Sequence, residues 1–316
     1  MGSVKTFFHL LKNDRSKIRT AVFRRLSGIG VHKILSDRAF LKYAYRAHFG
    51  KKLNLKNPVT FNEKLNWLKL YNRNPEYRKL VDKYEVKNYI AEKIGEEYVI
   101  PTIGVWDRVS DIDFDALPDS FVLKCTHDSG SAVICKDKNS FDVEKAKKKL
   151  SEKLRKNFYW YGREWPYKDL KPRIIAEEYI TDRTDGTERA EGDDLHDYKL
   201  FCFNGECKFF KIDFDRFTHH RANYYDKNKQ LMPMYGGTFL PDHSRDIYIP
   251  SSMDKMIELA ERLSTGFPHV RVDFYDVGDK IYFGELTFFH CSGLEPFYPE
   301  EWDKTLGDWL ILPEKQ

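Results

Sequence analysis

The 316-residue chain has no run of about 20 apolar residues, so we expect no transmembrane helix. No signal peptide is recognisable near its start, and a cytoplasmic location is therefore predicted. The five cysteines are an odd number without CxxC spacing, which favours reduced thiols over a disulfide framework or a thiolate metal site. Neither zinc-finger spacing nor an RNA-binding strand motif occurs, so we expect no nucleic-acid partner.

Positive charge is concentrated near the start of the chain. Residues 1–56 contain 14 Lys and Arg against two Asp, although the net charge of the whole chain is only +4. Apolar and arginine positions at helical spacing in this segment favour contact with an anionic surface at the inner face of a membrane, or with a lipid-linked acceptor. A solvated helical surface would account for the same pattern.

Local signals predict several elements of secondary structure. Thr60 and Glu63 have the spacing of a capping box, which predicts a helix that ends near residue 71, and a second helix is predicted over residues 76–94. The dipeptide Asn204-Gly205 between two apolar runs predicts a type I′ hairpin. The acidic stretch 107–120 is the expected boundary between the helical first part and the strand-rich remainder.

The stretch 271-RVDFYDVGDKIYFGELTFFHCSG-293 predicts two strands joined by a tight turn. Alternation places Arg271 and Asp273 on one face of the first strand, and Glu285 and Thr287 on one face of the second. If these faces coincide, the oxygens suit Mg²⁺, which prefers hard oxygen ligands and bridges to phosphates. Arg271 would then stabilise a transferring phosphoryl group. A cross-strand ion pair between Arg271 and Glu285 is the structural alternative.

Two further patterns lie upstream. Lys124 ends a predicted strand and is followed by the turn residues Ser129, Gly130 and Ser131, a combination that can bind phosphate oxygens but also fits a plain hairpin turn. Glu177 and Glu178 end another predicted strand, where a carboxylate could accept the adenine amino group; alone, this pattern is unremarkable.

The order of these pieces resembles that of the ATP-grasp ligases over residues 82–293. Lys83 and Lys124 resemble the two nucleotide-binding lysines of the family, and the Ser/Gly turn resembles its small flexible loop. Glu177, Glu178 and Ile180 match its adenine-binding hinge.

The hairpin extends the resemblance. Arg271 resembles the phosphate-binding arginine, and Asp273 and Glu285 resemble the Mg²⁺ ligands. The usual third metal position is asparagine, and Thr287 stands there instead, so Thr287 either binds the ion or orients Glu285. An Asp-x-basic strand elsewhere in the superfamily suggests that Lys199 reaches the acyl phosphate.

Three stretches narrow the resemblance to the TupA-like branch of the family, named for a teichuronopeptide biosynthesis protein. They are NPVTFNEKLNWLKLYNRNP (57–75), EWPYKDLKPRIIAEEYI (164–180) and DYKLFCFNGECKFF (197–210). The resemblance implies an α+β ATP-grasp fold, in which two subdomains grip ATP, with a basic helical N-terminal extension. The implied regions are the N-terminal segment 1–56, a pre-ATP-grasp region 57–118, subdomain A at 119–180 and subdomain B with the metal site at 181–316.

The implied activity uses ATP and Mg²⁺ to join an amine or amino acid to the carboxylate of a uronic acid through an acyl phosphate, in capsular or surface polysaccharide biosynthesis. Arg221, within 215-DRFTHHRANYYD-226, is expected to bind the substrate carboxylate, because arginine suits carboxylates; a polar loop over the sheet is the alternative. Two other functions stay open: an ATP-dependent sugar phosphotransferase, and a non-catalytic nucleotide-binding partner of glycosyltransferases.

Overall fold

The computed structural model describes residues 31–180, 195–215, 218–278 and 280–315. The part of the N-terminal segment before residue 31 and the first residues of the predicted subdomain B, 181–194, lie outside these ranges, so their predicted structures are untested. In the described ranges the α-helices are α1 Asp37–Phe49, α2 Phe61–Tyr71, α3 Tyr77–Val81, α4 Val86–Lys93, α5 Val143–Leu154, α6 Tyr159–Gly162, α7 Met253–Ser264 and α8 Glu301–Trp309. Within the described ranges, each helix is too short or too polar to span a lipid bilayer.

The strands form two larger antiparallel sheets and one short pair. Their bounds are β1 Thr102–Trp106, β2 Phe121–Cys125, β3 Val133–Cys135, β4 Ile174–Glu178, β5 Asp197–Phe203, β6 Glu206–Phe214, β7 Arg221–Asp226, β8 Tyr235–Gly236, β9 His269–Val277, β10 Lys280–Thr287 and β11 Phe297–Tyr298. The strand order is β1-β4-β2-β3 in the first sheet and β10-β9-β5-β6-β7 in the second, with β8 and β11 paired separately.

The first sheet has its own apolar core. Leu123 of β2 and Ile174 of β4 are fully buried in a cluster with Leu150 of α5. The strand β1 belongs to this sheet, although it lies in the region 57–118 that the sequence analysis separated from subdomain A. The edge strand β1 pairs with β4, so the sheet is completed by chain that precedes residue 119.

The second sheet is covered on both faces. Helix α7 lies against β5, β6 and β9. On the opposite face the ring of His269 contacts Phe61 of α2 at a centroid distance of 4.9 Å. Asn204 and Gly205 both have positive φ and join β5 to β6, which confirms the predicted type I′ hairpin. The charged groups of the candidate site lie further along the face that carries His269.

The predicted capping box is confirmed at the start of α2. Thr60 Oγ1 accepts a hydrogen bond from the Glu63 backbone N–H, while the Glu63 carboxylate accepts from Thr60 N. This helix is tied to the end of the chain, because Lys64 Nζ donates to the carbonyl oxygens of Gly307 and Leu310 at 2.8 Å.

The continuous helix predicted over residues 76–94 is wrong. The chain leaves the helical path after α3 and re-enters it at α4. Asp82 Oδ1 accepts from the backbone N–H groups of Tyr84 and Glu85, an Asx-type turn that competes with helix continuation. Lys83 therefore lies in the break, where its backbone N–H donates to Thr126 O at 3.0 Å and joins the first sheet.

Candidate active site

A β-bulge brings the two predicted metal ligands together. Asp273 is the cross-strand partner of Glu285, and Arg271 is the partner of Thr287. The register shifts between Phe283 and Glu285, so Gly284 is the extra residue. In a regular ladder, with Gly284 paired to Asp273, Glu285 would lie opposite Val272 and point to the other face of the sheet. The backbone register therefore places the two carboxylates on the same face, as predicted.

Arg271 links the carboxylates directly. Its Nε and Nη2 donate to the two oxygens of Asp273 at 2.6 Å, and Nη2 also donates to Glu285 Oε1 at 2.8 Å. Burial alone would lower the pKa of Arg271, but Asp273 and Glu285 raise it well above its usual range. Burial alone would raise the pKa of Asp273, but Arg271 and Lys199 hold it below its usual range. Both groups are therefore charged, and the ion pair named as the structural alternative is present.

The donor set fits Mg²⁺. Asp273 Oδ2 and Glu285 Oε1 approach the same guanidinium nitrogen, so the two carboxylates already face one point. The Glu285 side chain is 42% exposed and open to a ligand, whereas that of Asp273 is 3% exposed. Thr287 Oγ1 donates to Glu285 Oε1 at 3.1 Å, which favours an orienting role for this hydroxyl. Hard, charged oxygens in this arrangement match the preference of Mg²⁺.

Lys199 lies beside this pair but is strongly engaged. Its ammonium contacts Asp197, Asp273 Oδ2 at 2.9 Å and Asp213 Oδ2 at 3.7 Å. Burial would lower the pKa of Lys199, but Asp197 and Asp273 raise it. Lys199 is therefore the counter-ion of three carboxylates from three adjacent strands, and a contact with an acyl phosphate would have to compete with them.

On the first sheet, Glu177 holds two lysines. Its carboxylate is 2.5 Å from Lys124 Nζ and 2.7 Å from Lys87 Nζ, and its side chain is only 5% exposed. Burial would raise the pKa of Glu177, but the two lysines lower it. Both oxygens are thus occupied by ammonium groups, and the predicted adenine contact would have to share them.

Lys83 faces the second sheet across a small cavity lined by Lys83, Tyr167 and Glu285 among others. Its ammonium donates to the backbone oxygen of Asp128. Burial lowers the pKa of Lys83, and the nearby Glu285 carboxylate opposes that shift. The residues predicted to bind phosphates and metal therefore approach each other from the two sheets.

In the predicted phosphate loop, two residues are exposed and the third is buried and hydrogen-bonded within the turn. Ser129 and Gly130 are exposed, and Gly130 has φ 77°, a conformation that favours glycine. The Ser131 hydroxyl points inward, accepting from Cys125 N at 2.8 Å and donating to Asp128 Oδ1 at 2.5 Å. Ser131 thus shapes the turn, and Ser129 and Gly130 are the members available to a ligand.

The remaining predicted residues are spread more widely. Glu178 is exposed, unlike the buried Glu177, and Ile180 is half-buried at the limit of the described segment. Arg221 begins β7, which is the sheet edge opposite β10. Neighbouring strands lie about 4.8 Å apart, so Arg221 is separated from the Glu285 strand by roughly 19 Å. The structure does not bring Arg221 together with Arg271.

Sequence reasoning missed several charged groups of this site. Lys87 completes the Glu177 cluster, Lys211 lies 3.3 Å from Asp213, and His290 Nδ1 lies 3.0 Å from Arg271 Nη1. No spacing rule in the sequence links these residues to the motifs. Their proximity to the predicted residues arises from strand order and loop path.

Comparison with known proteins places the chain in a family. The model of the TupA-like ATPgrasp family matches residues 63–311, more than three quarters of the chain. No curated protein matches significantly.

Similar solved structures share 14% identity with the chain. The RimK domain ATP-grasp protein from Sphaerobacter thermophilus aligns over 76% of this chain and 70% of its own, with TM-score 0.40. D-alanine–D-alanine ligases align similarly: the Helicobacter pylori protein over 79% and 69% (TM-score 0.42), and the Bacillus anthracis protein complexed with ATP over 73% and 57% (0.36). The chain thus spans less than two thirds of the B. anthracis ligase. All three TM-scores are below 0.5, so the assignment rests on the family match. The chain belongs to the TupA-like ATP-grasp family and has the ATP-grasp fold.

Proposed function

We propose that this protein is an ATP- and Mg²⁺-dependent ligase that joins an amine or amino acid to a carboxylate through an acyl phosphate. The observation that carries the proposal is the convergence of Asp273, Glu285 and Arg271 on one face of the second sheet, with Lys83 opposite, in a chain that belongs to an ATP-grasp family. Two carboxylates and two cations at one point suit a nucleotide whose phosphates carry a divalent ion.

The residues divide the work as follows. Asp273 and Glu285 would hold Mg²⁺, which when bound neutralises the charge of the β- and γ-phosphates. Lys83 and Lys124 bind the phosphates, with the exposed loop residues Ser129 and Gly130 as further donors. Arg271 donates to the transferring phosphoryl group and stabilises its charge.

The reaction consists of two displacements. A substrate carboxylate oxygen attacks the γ-phosphorus, the bond from phosphorus to the bridging oxygen breaks, and ADP leaves. The amine nitrogen then attacks the acyl carbon, the carbon–oxygen bond to phosphate breaks, and an amide forms after the nitrogen loses a proton. Neither displacement requires a covalent bond to the protein, so we assign no cysteine the role of nucleophile.

We further propose a uronic-acid carboxylate as the acceptor, in bacterial capsular or surface polysaccharide biosynthesis, with the protein in the cytoplasm at the inner face of the membrane. The 14 Lys and Arg of residues 1–56 support contact with anionic lipid or a lipid-linked acceptor. In the described part of that segment, Ile34 is 86% exposed and follows Lys33, a pairing that suits a membrane surface.

Mass spectrometry of reactions that contain ATP, Mg²⁺ and a matrix of uronic-acid glycosides with amines tests the function. We expect an amide and free phosphate only when carboxylate and amine are both supplied. Asp273→Asn and Glu285→Gln should abolish the product, and Asp254→Asn, a change at a surface ion pair, should leave the rate unchanged.

Two other results would refute the ligase. A product that retains the phosphoryl group would establish a sugar phosphotransferase. Nucleotide binding without ATP consumption across the whole matrix would establish a non-catalytic nucleotide-binding protein.

A further inference from the structure

A buried imidazole connects Arg271 to a second, deeper carboxylate. His290 is 1% exposed; its Nδ1 lies 3.0 Å from Arg271 Nη1 and its Nε2 lies 2.5 Å from Glu295 Oε2. Glu295 is 3% exposed, and its other oxygen accepts from Thr238 N at 3.2 Å. None of these contacts follows from the motifs in the sequence.

The position of the imidazole proton follows from the chemistry of its neighbours. A guanidinium is always protonated and has no acceptor, so His290 Nδ1 must accept the hydrogen bond from Arg271. A neutral imidazole with a free lone pair on Nδ1 carries its proton on Nε2, and that proton is donated to Glu295. Glu295 thereby fixes the tautomer that Arg271 requires.

The contact with His290 differs from the other contacts of Arg271. Among the described residues, four of the five guanidinium N–H groups have partners, and the fifth, on Nη1, has none. Three of those four bonds go to Asp273 and Glu285, the residues proposed to bind the metal. Among the described residues, His290 is the hydrogen-bond partner of Arg271 that is not a proposed metal ligand.

The same cluster has the composition of a metal site, because His290, Cys291 and Glu295 offer ligand atoms within 4.8 Å of one another. The proton on Nε2 excludes that role. While Arg271 donates to Nδ1, the Nε2 nitrogen carries hydrogen and has no lone pair for an ion.

The backbone between His290 and Glu295 has a conformation that brings the two side chains together. Cys291 and Ser292 both adopt left-handed φ values, 45° and 54°, which cost energy in non-glycine residues and persist where the surroundings require them. This turn returns the chain so that Glu295 reaches His290 five residues earlier.

We propose that Glu295 and His290 are positioning residues that hold the Arg271 guanidinium toward the transferring phosphoryl group. This inference rests on the proposed function and names residues that the family resemblance did not supply.

The first test needs no nucleotide. Nitrogen-15 spectra of the histidine side chains in the full chain should show His290 as the Nε2–H tautomer at pH 7.5, identified by loss of its signals in His290→Gln. In Glu295→Ala the Nε2–H group loses its acceptor, so its resonance should shift while Nδ1 stays unprotonated. We call the hydrogen-bonded series Glu295–His290–Arg271 the relay. A wild-type His290 protonated on Nδ1 would overturn it.

The second test compares the affinity of the full chain for Mg·ADP with that for Mg·ADP–aluminium fluoride, a mimic of the transferring phosphoryl group. His290→Phe retains the ring contact with Phe201, at 4.8 Å, but removes both nitrogens. It should weaken binding of the fluoride complex about 10- to 100-fold, the effect of a charged hydrogen bond, and change Mg·ADP affinity less than threefold. His290→Gln, whose carbonyl can accept from Arg271, should restore part of the loss.

The outcomes separate the two proposals. If wild type binds neither complex, the proposed function fails and the relay fails with it. If wild type binds both and His290→Phe weakens them equally or not at all, the relay alone is overturned. Asp254→Asn, a change at a surface ion pair, is the control and should bind both complexes as wild type does.

Discussion

Neutralising Glu177 should destabilise the protein more than any exposed carboxylate change. Glu177→Gln leaves the ammonium groups of Lys87 and Lys124, whose side chains are 12% and 17% exposed, facing each other without a counter-charge. Removing one partner of a buried ion pair costs about 3–5 kcal/mol. Glutamine still accepts one hydrogen bond, so we expect about 3 kcal/mol. With roughly 2–4 °C per kcal/mol for a large domain, Tm should fall by about 6–12 °C.

The measurement is urea and thermal unfolding at pH 7.5, followed by circular dichroism. Glu178→Gln is the matched control, because it is the same chemical change at the next, exposed position, and it should cost less than about 0.5 kcal/mol. Combining Glu177→Gln with Lys87→Met removes one of the opposed charges and should recover about 1 kcal/mol or more. A loss below about 1 kcal/mol for Glu177→Gln would refute the reasoning.

The pH dependence provides an independent check. The pKa of Glu177 is lowered in the folded protein from its ordinary value of 4.5. Its contribution to stability is therefore fully present above pH 4.5 and is lost as the pH falls through the lower folded-state pKa. The difference in unfolding free energy between wild type and Glu177→Gln should accordingly be constant from pH 8 to 5 and shrink in stronger acid.

Three further predictions concern other parts of the molecule. Gly307→Ala should destabilise by about 2 kcal/mol or more in urea unfolding, because its Cβ would lie 2.2 Å from the backbone oxygen of Val59; wild-type stability would contradict this contact. Although Cys291 is an exposed residue, burial of its thiol raises its pKa to about 12, so it should react with a disulfide reagent at pH 8 roughly 100-fold or more slowly than free cysteine; equal rates would refute this. Burial lowers the pKa of His269 to about 3, so wild type should lose about 1.4 kcal/mol of stability per pH unit between 6.5 and 4 from this residue, a loss that His269→Gln should not show.

Strand alternation identified the residues at the core of the candidate site. It placed Arg271 and Asp273 on one face of the first strand, and Glu285 and Thr287 on one face of the second. The cross-strand register confirms that these two faces coincide. The coincidence depends on the bulge at Gly284, however, which alternation does not predict. Glu285 and Thr287 both follow the bulge, so they keep a common face, and the bulge turns that face toward Arg271 and Asp273.

Other features depend on long-range structure that no local pattern records. The expectation that Arg221 approaches the site ignored strand order, which places β7 at the far edge of the sheet. Glu177 was identified, but its pairing with Lys87 required the break after α3, where Asp82 hydrogen-bonds to the following backbone. His290 was not predicted, because its hydrogen bond with Arg271 depends on the path of a strained loop.

The ion-pair chain across the second sheet has a consequence for the order in which ligands enter. A bare divalent cation would find Asp273 already saturated by a guanidinium and an ammonium, and would have to expel a cation to bind. A cation delivered on a triphosphate brings its own anions, onto which Arg271 and Lys83 can transfer. Under the proposed function, we therefore expect the site to discriminate against free metal ions and to admit the metal together with its nucleotide as a single charge-balanced unit.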